Sequence, residues 1–334
     1  MVIIKEIYSE LKTHNYNYKK SIITIGSFDG IHLGHQKIFN KMDLLSKKYS
    51  ANSKYKDKDY YNKILITFNP HPRFVINQNT LSDSFIISPI KDRLELLSEA
   101  FNIDIVLVMS FDYNFSLVTA TDFINTVINH FDPIDIVMGS NHQFGHKKEG
   151  NINFIKKIEL ENNFKVHEIS PKKNTAIENQ VISSTLIRKF ISTGNIKNAN
   201  IMLGRLYSLK GLIVKGEGIG KKINFPTINI NQIDKDQIIP SRGVYFVYLY
   251  IEGKKYAGMC NIGIRPTVTN SKEERVEIHI FSVEINVNFY DKIVNVLFVD
   301  YIRDEIKFKN KENLVKQLKR DKDFCLSLSK IGVM

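Results

Sequence analysis

Gly26-Ser27-Phe28-Asp29-Gly30-Ile31-His32-Leu33-Gly34-His35 follows directly on the apolar run Ile22-Ile23-Thr24-Ile25. That run is short and β-branched, as in a strand buried on both faces of a parallel sheet. The glycines break it, and from Gln36 to Leu45 the residues Ile38, Phe39, Met42 and Leu45 fall on one helical face. The stretch reads as strand, glycine turn and helix, with His32 and His35 where the helix begins. A helix N-terminus offers unpaired N–H groups and a partial positive charge, and glycines let the backbone approach a ligand closely. Two imidazoles three residues apart suit an anion there, and nucleotide phosphate is the expected guest. The competing readings are a plain strand-to-helix turn with surface histidines, or a metal held by Asp29 and the histidines.

Strand and helix signals alternate from there on. Ile64 to Phe68 reads as a strand, and Ser88 to Phe101 as a helix capped by Ser88 with Pro89 in its first position. Ile103 to Met109 follows as a strand, Thr121 to His130 as a helix, Ile134 to Met138 as a strand, Ile152 to Asn162 as a helix and Phe164 to Ile169 as a strand. Such alternation predicts a parallel sheet covered on both faces, with ligands at the carboxyl ends of its strands. Helical period persists through Ser184 to Phe190 and Asn195 to Met202, and the pattern changes after Leu203. The runs Tyr207 to Val214, Val244 to Ile251, Lys255 to Cys260, Val276 to Ile285 and Ile293 to Tyr301, separated by turns, predict an antiparallel barrel. Lys311 to Ser329 reads as a closing helix with Leu314, Leu318, Cys325 and Leu328 inward.

A chain of 334 residues, 43% of them hydrophobic, suggests two domains with a core each. No apolar stretch approaches the roughly 20 residues that cross a bilayer, and Met1 to Glu10 is too short and too charged for a signal peptide, so a cytoplasmic protein without a membrane role is expected. The two cysteines, Cys260 and Cys325, form no CxxC pair and are expected to be buried free thiols. The net charge of +12 is dispersed. Its one dense run, Lys47 to Lys63, is mixed with aspartates and tyrosines and is expected to be a solvated loop, so no specific nucleic-acid partner is expected.

Other polar clusters fall at strand ends. Thr67-Phe68-Asn69-Pro70-His71-Pro72 is a rigid turn that keeps Asn69 and His71 close to its strand. In Gly139-Ser140-Asn141-His142-Gln143-Phe144-Gly145-His146, Gly145 argues against a helical His142/His146 metal pair. Ile182-Ser183-Ser184-Thr185-Leu186-Ile187-Arg188 gathers hydroxyls at a helix start with an arginine one turn on, a second phosphate-suited element or a plain N-cap. Gly216-Glu217-Gly218-Ile219-Gly220-Lys221-Lys222 is one residue short of a Walker loop and lacks the following Ser or Thr. Beyond it, in Asn224-Phe225-Pro226-Thr227-Ile228-Asn229, Thr227 and Asn229 point the same way and offer two oxygen ligands to Mg²⁺, or simply form a wet strand face.

The pattern G-x-F-D-G-x-H-x-G-H resembles the signature of nucleotidyltransferases with an HxGH element, and its opening resembles the adenylyltransferase module of the bifunctional bacterial riboflavin kinase/FAD synthetases. Thr67 to Pro72 is similar to that family's T-F-D-P-H-P, with Asn69 in the aspartate's place. Gly139 to Gly145 is similar to G-E-D-F-x-F-G, with Ser140, Asn141 and His142 replacing the acidic pair and the phenylalanine. Ile182 to Arg188 matches I-S-S-T-x-I-R. Phe225-Pro226-Thr227-x-Asn229 resembles riboflavin kinase, supported by Asn261 to Thr267, Val276 to His279 and Leu297 to Phe308; Asn224 stands for a glycine and tolerates positive φ.

This resemblance covers nearly the whole chain. It implies a Rossmann-like nucleotidyltransferase domain over 1–185, a helical linker over 186–204, and an antiparallel β-barrel riboflavin kinase domain with a terminal helix over 205–334. It implies Glu277 as the base of riboflavin phosphorylation, Thr227 and Asn229 as holders of Mg²⁺ and ATP, and Gly216, Gly218 and Lys221 over the phosphates. For adenylyl transfer it implies His32 and His35 as charge stabilisers and Gly26, Phe28, Asp29, Gly30, Gly34, Asn141, Ser183, Ser184, Thr185 and Arg188 around ATP. Asn69, His71 and Arg303 would be flavin neighbours. The implied partners are riboflavin, FMN and ATP, with FAD as final product, and a homo-oligomer is compatible with all of this. The alternative is a relative with weakened adenylyl transfer, acting mainly as riboflavin kinase or flavin-binding protein, on account of Ser140 to His142.

Overall fold

Every residue of Ser21–Ile25 is buried, and its neighbouring side chains feed two different cores. This is the mark of a sheet wound on both faces. The computed structural model describes all residues except 12, 14–19, 52–60, 77–84, 217, 219, 265–273, 282–288 and 331–334. The chain divides into two units, Met1–Ser82 with Ser88–Ser184, and Asp83–Ile87 with Thr185–Met334.

The first unit runs β1 (Val2–Glu6), α1 (Tyr8–Leu11), β2 (Ser21–Ile25), α2 (Leu33–Ser50), β3 (Asn62–Asn69), α3 (Pro72–Ile76), α4 (Ile90–Ala100), β4 (Ile105–Ser110), α5 (Tyr113–Ser116), α6 (Ala120–Phe131), β5 (Pro133–Gly139), α7 (Ile152–Glu159), β6 (Lys165–Ile169), β7 (Lys173–Asn174) and β8 (Gln180–Val181). The main sheet has the order β1-β4-β3-β2-β5-β6, with every neighbouring pair parallel. On one face Ile23 and Ile25 pack with Leu11, Phe123, Val127 and Phe131. On the other Ile22 packs with Phe39, Met42, Leu97 and Val137. The strand order reverses about β2, between β3 and β5, so the turns after β2 and β5 open onto the switch point where such sheets bind ligands.

The second unit runs α8 (Ser184–Ser192), α9 (Ile196–Leu203), β9 (Tyr207–Val214), β10 (Ile228–Gln232), β11 (Gly243–Ile251), β12 (Lys254–Ile264), β13 (Glu274–Ile280), β14 (Ile293–Arg303) and α10 (Lys311–Lys330). Its six strands close into an antiparallel barrel in the order β10-β13-β12-β11-β14-β9. α9 is fastened to the barrel by Asn200, whose Nδ2 donates to Phe298 O at 2.9 Å and whose Oδ1 accepts Tyr207 N at 2.6 Å. Cys325 of α10 is buried with Phe246, Met259 and Val299, while Leu318 and Leu328 pack against that cluster.

Several expectations need correction. Ser88 does not cap α4: Pro89 is the cap residue and no side chain caps the helix, while the Ser88 N–H goes to Asp29 Oδ1 at 3.0 Å. Lys47 and Lys48 lie in the last turn of α2, and Lys63 is a buried β3 residue paired with Asp43 at 3.2 Å. Of the expected loop, 52–60 lies outside the described residues. The helix from Ile152 ends at Glu159; the strand around Glu277 is Glu274–Ile280, and 282–285 of the expected run lie outside the described residues. Both cysteines are free and buried, and desolvation pushes their thiols up, that of Cys325 to about 12.

Candidate active sites

The turn after β2 is built by three residues with positive φ, Phe28 (46°), Gly30 (82°) and Ile31 (41°), which swing the chain into α2. His32 caps that helix, its Nδ1 accepting the N–H groups of Gly34 at 3.1 Å and His35 at 3.3 Å. Nδ1 is thus an acceptor, and the neutral ring carries its proton on Nε2. A Cβ on Gly34 would stand 3.0 Å from the His32 ring, so glycine there lets the imidazole lie against the backbone. The His32 and His35 rings stack at 3.5 Å, and Phe28 meets the His35 ring edge-on at 5.2 Å. No acidic residue occupies the first turn of α2, so no carboxylate of that turn offsets its dipole.

These groups line a cavity of about 260 Å³ together with Gly26, Asn141, His142, Lys172, Ser183 and Ser184, and its lining among the described residues holds no carboxylate. His142 is half-buried, and desolvation pushes its imidazole down to about 4. Of the residues expected around ATP, Gly26, Phe28, His32, Gly34, His35, Asn141, Ser183 and Ser184 come together here. Asp29 and Gly30 do not line the cavity. Asp29 is buried and takes the Ser88 N–H, while its backbone oxygen accepts Ser184 Oγ at 2.9 Å, so it ties the turn together. Thr185 and Arg188 belong to the second unit, where Arg188 Nε donates to Phe85 O at 2.9 Å and its guanidinium covers the Phe85 ring.

A second cavity of the first unit, about 550 Å³, is walled by Phe68, Phe111, Tyr113, Phe115, Leu117 and Phe144, with Arg73, Lys147 and Lys148 also lining it. The loop after β5 serves both cavities: Gly139 to His142 line the first and Gln143 to Gly145 the second. The sequence reading missed this aromatic chamber, although the alternation Phe111-x-Tyr113-x-Phe115 was its signal. Asn69 lines a different surface recess beside Lys5 and Glu6. His71 is buried, and its Nδ1 accepts Arg73 N at 3.2 Å.

In the barrel, β10 and β13 pair with Asn229 opposite Glu277, and β12 brings Asn261 opposite Glu277 from the other side. Thr227 Oγ1 donates to Glu277 Oε1 in a short hydrogen bond. Asn229 Oδ1 accepts Arg275 Nε at 2.7 Å, and Arg275 Nη2 lies 3.6 Å from Glu277 Oε1. His279 Nδ1 is 2.8 Å from Pro226 O, which fixes the strand entry before Thr227. Asn224 has φ of 58°, the left-handed conformation expected of a residue in a glycine's place. Thr227, Glu277 and Arg275 face a cavity of about 350 Å³ closed by Phe225, Met259 and Leu318. Gly220 lines it from the short helical turn Gly220–Ile223, which also holds Lys221. Gly218 has φ of 73° and open space around it, while a Cβ on Gly216 would strike Asn229. Arg303 also lines the cavity, but its guanidinium is engaged with the buried Asp321 at 2.7 Å, joining β14 to α10. Arg265 to Thr267 lie outside the described residues.

The geometry defines a doubly wound parallel-sheet unit with a polar cavity at its switch point and a closed antiparallel barrel with a carboxylate-bearing cavity. The family models name the two parts: one described as FAD synthetase matches residues 14–186, and one described as riboflavin kinase matches 203–328. A bifunctional riboflavin kinase/FMN adenylyltransferase of Buchnera aphidicola subsp. Acyrthosiphon pisum is 35% identical over 96% of both chains. One from Bacillus subtilis is 28% identical over 91% of this chain and 90% of its own. The chain belongs to the bifunctional riboflavin kinase/FMN adenylyltransferase family. A crystal structure described as a macrolide-efflux protein from Streptococcus pneumoniae shares the fold, with TM-score 0.83 and 28% identity over 97% of this chain and 98% of its own. No helix among the described residues is long and apolar enough to cross a membrane.

Proposed function

We propose that the barrel transfers the γ-phosphoryl of ATP to riboflavin, giving FMN, and that the first unit joins FMN to the adenylyl group of a second ATP, giving FAD and pyrophosphate in the cytoplasm. The observation that carries this reading is the loop Gly139 to Gly145, which borders on one side a cavity with no carboxylate among its described lining and on the other an aromatic chamber. A polyphosphate suits the first and a flat apolar ring the second.

In the barrel, Glu277 takes the proton of the ribityl hydroxyl as its oxygen bonds to the γ-phosphorus and ADP departs. Thr227 orients that carboxylate through its hydrogen bond. Thr227 and Asn229 carry oxygens of the kind that would hold Mg²⁺. When bound, the ion neutralises phosphate charge. In the first unit the FMN phosphate is already an anionic nucleophile and needs no base. His32 Nε2–H, His35 and the α2 N-terminus stabilise charge on the ATP phosphates, while the aromatic chamber holds the isoalloxazine ring and keeps water away from it. The test is to supply FMN with ATP to Glu277→Gln protein: continued FAD formation supports separate sites, and its loss contradicts them.

A further inference from the structure

Arg275 lies two residues before Glu277 on β13, on the same side of the strand. Its Nε holds Asn229 Oδ1 at 2.7 Å, while its Nη2 stays 3.6 Å from Glu277 Oε1, beyond hydrogen-bond length. A Cβ built on Gly216 would stand 1.9 Å from Asn229 Nδ2 and 3.4 Å from Arg275 Nη2, so Gly216 packs directly against both. The side chain is 26% exposed and lines the cavity. One guanidinium thus occupies the oxygen suited to the cation, faces the base and lies against Gly216, the first residue of the stretch suited to phosphates. A cross-strand brace would account for the Asn229 contact alone, but not for a charge placed at the meeting point of all three.

We propose that Arg275 is a catalytic residue of phosphoryl transfer, which holds Asn229 Oδ1 before substrate binds and passes to the γ-phosphoryl group when Mg²⁺ and ATP claim that oxygen. This rests on the kinase reading of the barrel. Two cations at one amide oxygen repel, whereas a planar guanidinium on phosphate oxygens forms paired charge-assisted hydrogen bonds. In the step itself the ribityl oxygen bonds to the γ-phosphorus, the bond from γ-phosphorus to the bridging oxygen breaks, the hydroxyl proton goes to Glu277 and ADP leaves. Arg275 stabilises charge on the equatorial oxygens and exchanges no atom.

The test uses the full chain with Arg275→Gln and Arg275→Lys. FMN formation is followed for kcat and KM, and Mn²⁺ binding is read by electron paramagnetic resonance with saturating ADP. Arg275→Gln is expected to lower kcat on the order of 10² to 10³ while the KM for riboflavin stays within about twofold. Mn²⁺ should bind severalfold more tightly, because its competitor for Asn229 is gone, and Arg275→Lys should recover part of kcat. A melting temperature and urea transition unchanged from the parent, together with the retained KM for riboflavin, report that the barrel is folded. A kcat within about twofold of the parent, or weaker Mn²⁺ binding, overturns the proposal and leaves a brace. Failure of the kinase reading looks different: the parent protein would make no FMN, or Glu277→Gln would make it at full rate.

Discussion

His32 Nδ1 accepts the backbone N–H of His35 at 3.3 Å, and the two imidazoles stack 3.5 Å apart and 18° from parallel. The first ring therefore fixes the start of α2 and positions the second. The helix cap and the proposed anion site thus share His32.

Replacing His35 by Ala keeps the cap and removes one charge stabiliser. Adenylyl transfer should fall on the order of 10² to 10³ while FMN formation is unaffected. His32→Ala should add a loss of about 1 kcal/mol in stability, because the N–H groups of Gly34 and His35 lose their acceptor. Paired rate assays and urea denaturation separate the two effects.

Glu277→Gln preserves the shape of the barrel site but removes the proton acceptor. Riboflavin phosphorylation should drop by roughly 10² to 10⁴. A folded variant with an undiminished rate would take the base role away from Glu277.

Tyr113 lines the aromatic chamber while 64% exposed, so its loss opens no cavity in the core. Tyr113→Ala should raise the KM for FMN in adenylyl transfer about five- to tenfold, the worth of one aromatic contact of roughly 1 kcal/mol, and leave the melting temperature nearly unchanged. An unaltered KM would place the flavin elsewhere.

The His142 imidazole is pushed down to about 4, and its Nε2 is enclosed with no hydrogen-bond partner among the described residues. The unfolded chain binds that proton near pH 6.5, about two and a half units before the folded one does. Above that pH both states are neutral and the group contributes no pH dependence. As pH falls from 6.5 towards 4 the unfolded state alone is protonated, so stability is lost, and below 4 the effect levels off. His142→Phe keeps a ring beside Phe144 and removes the penalty. Its advantage over the parent in urea denaturation should grow by about 1 to 2 kcal/mol between pH 7 and pH 5. Parallel profiles would show that the ring is hydrated.

The main elements of both units were legible because period and punctuation agreed. Ile22 to Ile25 supplied a strand buried on both faces, the glycines a turn, and the barrel strand Tyr207–Val214 a strict alternation of buried and half-buried residues. β1 went unread because it is a five-residue edge strand with largely exposed side chains, stabilised by pairing with β4 rather than by its own pattern. Asp29 looked like a ligand because it sits in the motif, yet its oxygens satisfy the Ser88 N–H and the Ser184 hydroxyl, which only the folded chain brings near. Arg275 carried no signal at all. Its importance comes from the register that sets β13 against Asn229.

The central claim is that two units carry out successive flavin transfers, and separating the flavins formed from riboflavin, ATP and Mg²⁺ over time tests it most directly. FMN should appear first and then give way to FAD as pyrophosphate accumulates. A reaction in which riboflavin remains unphosphorylated, or in which FMN accumulates with no FAD while ATP is in excess, would contradict the account.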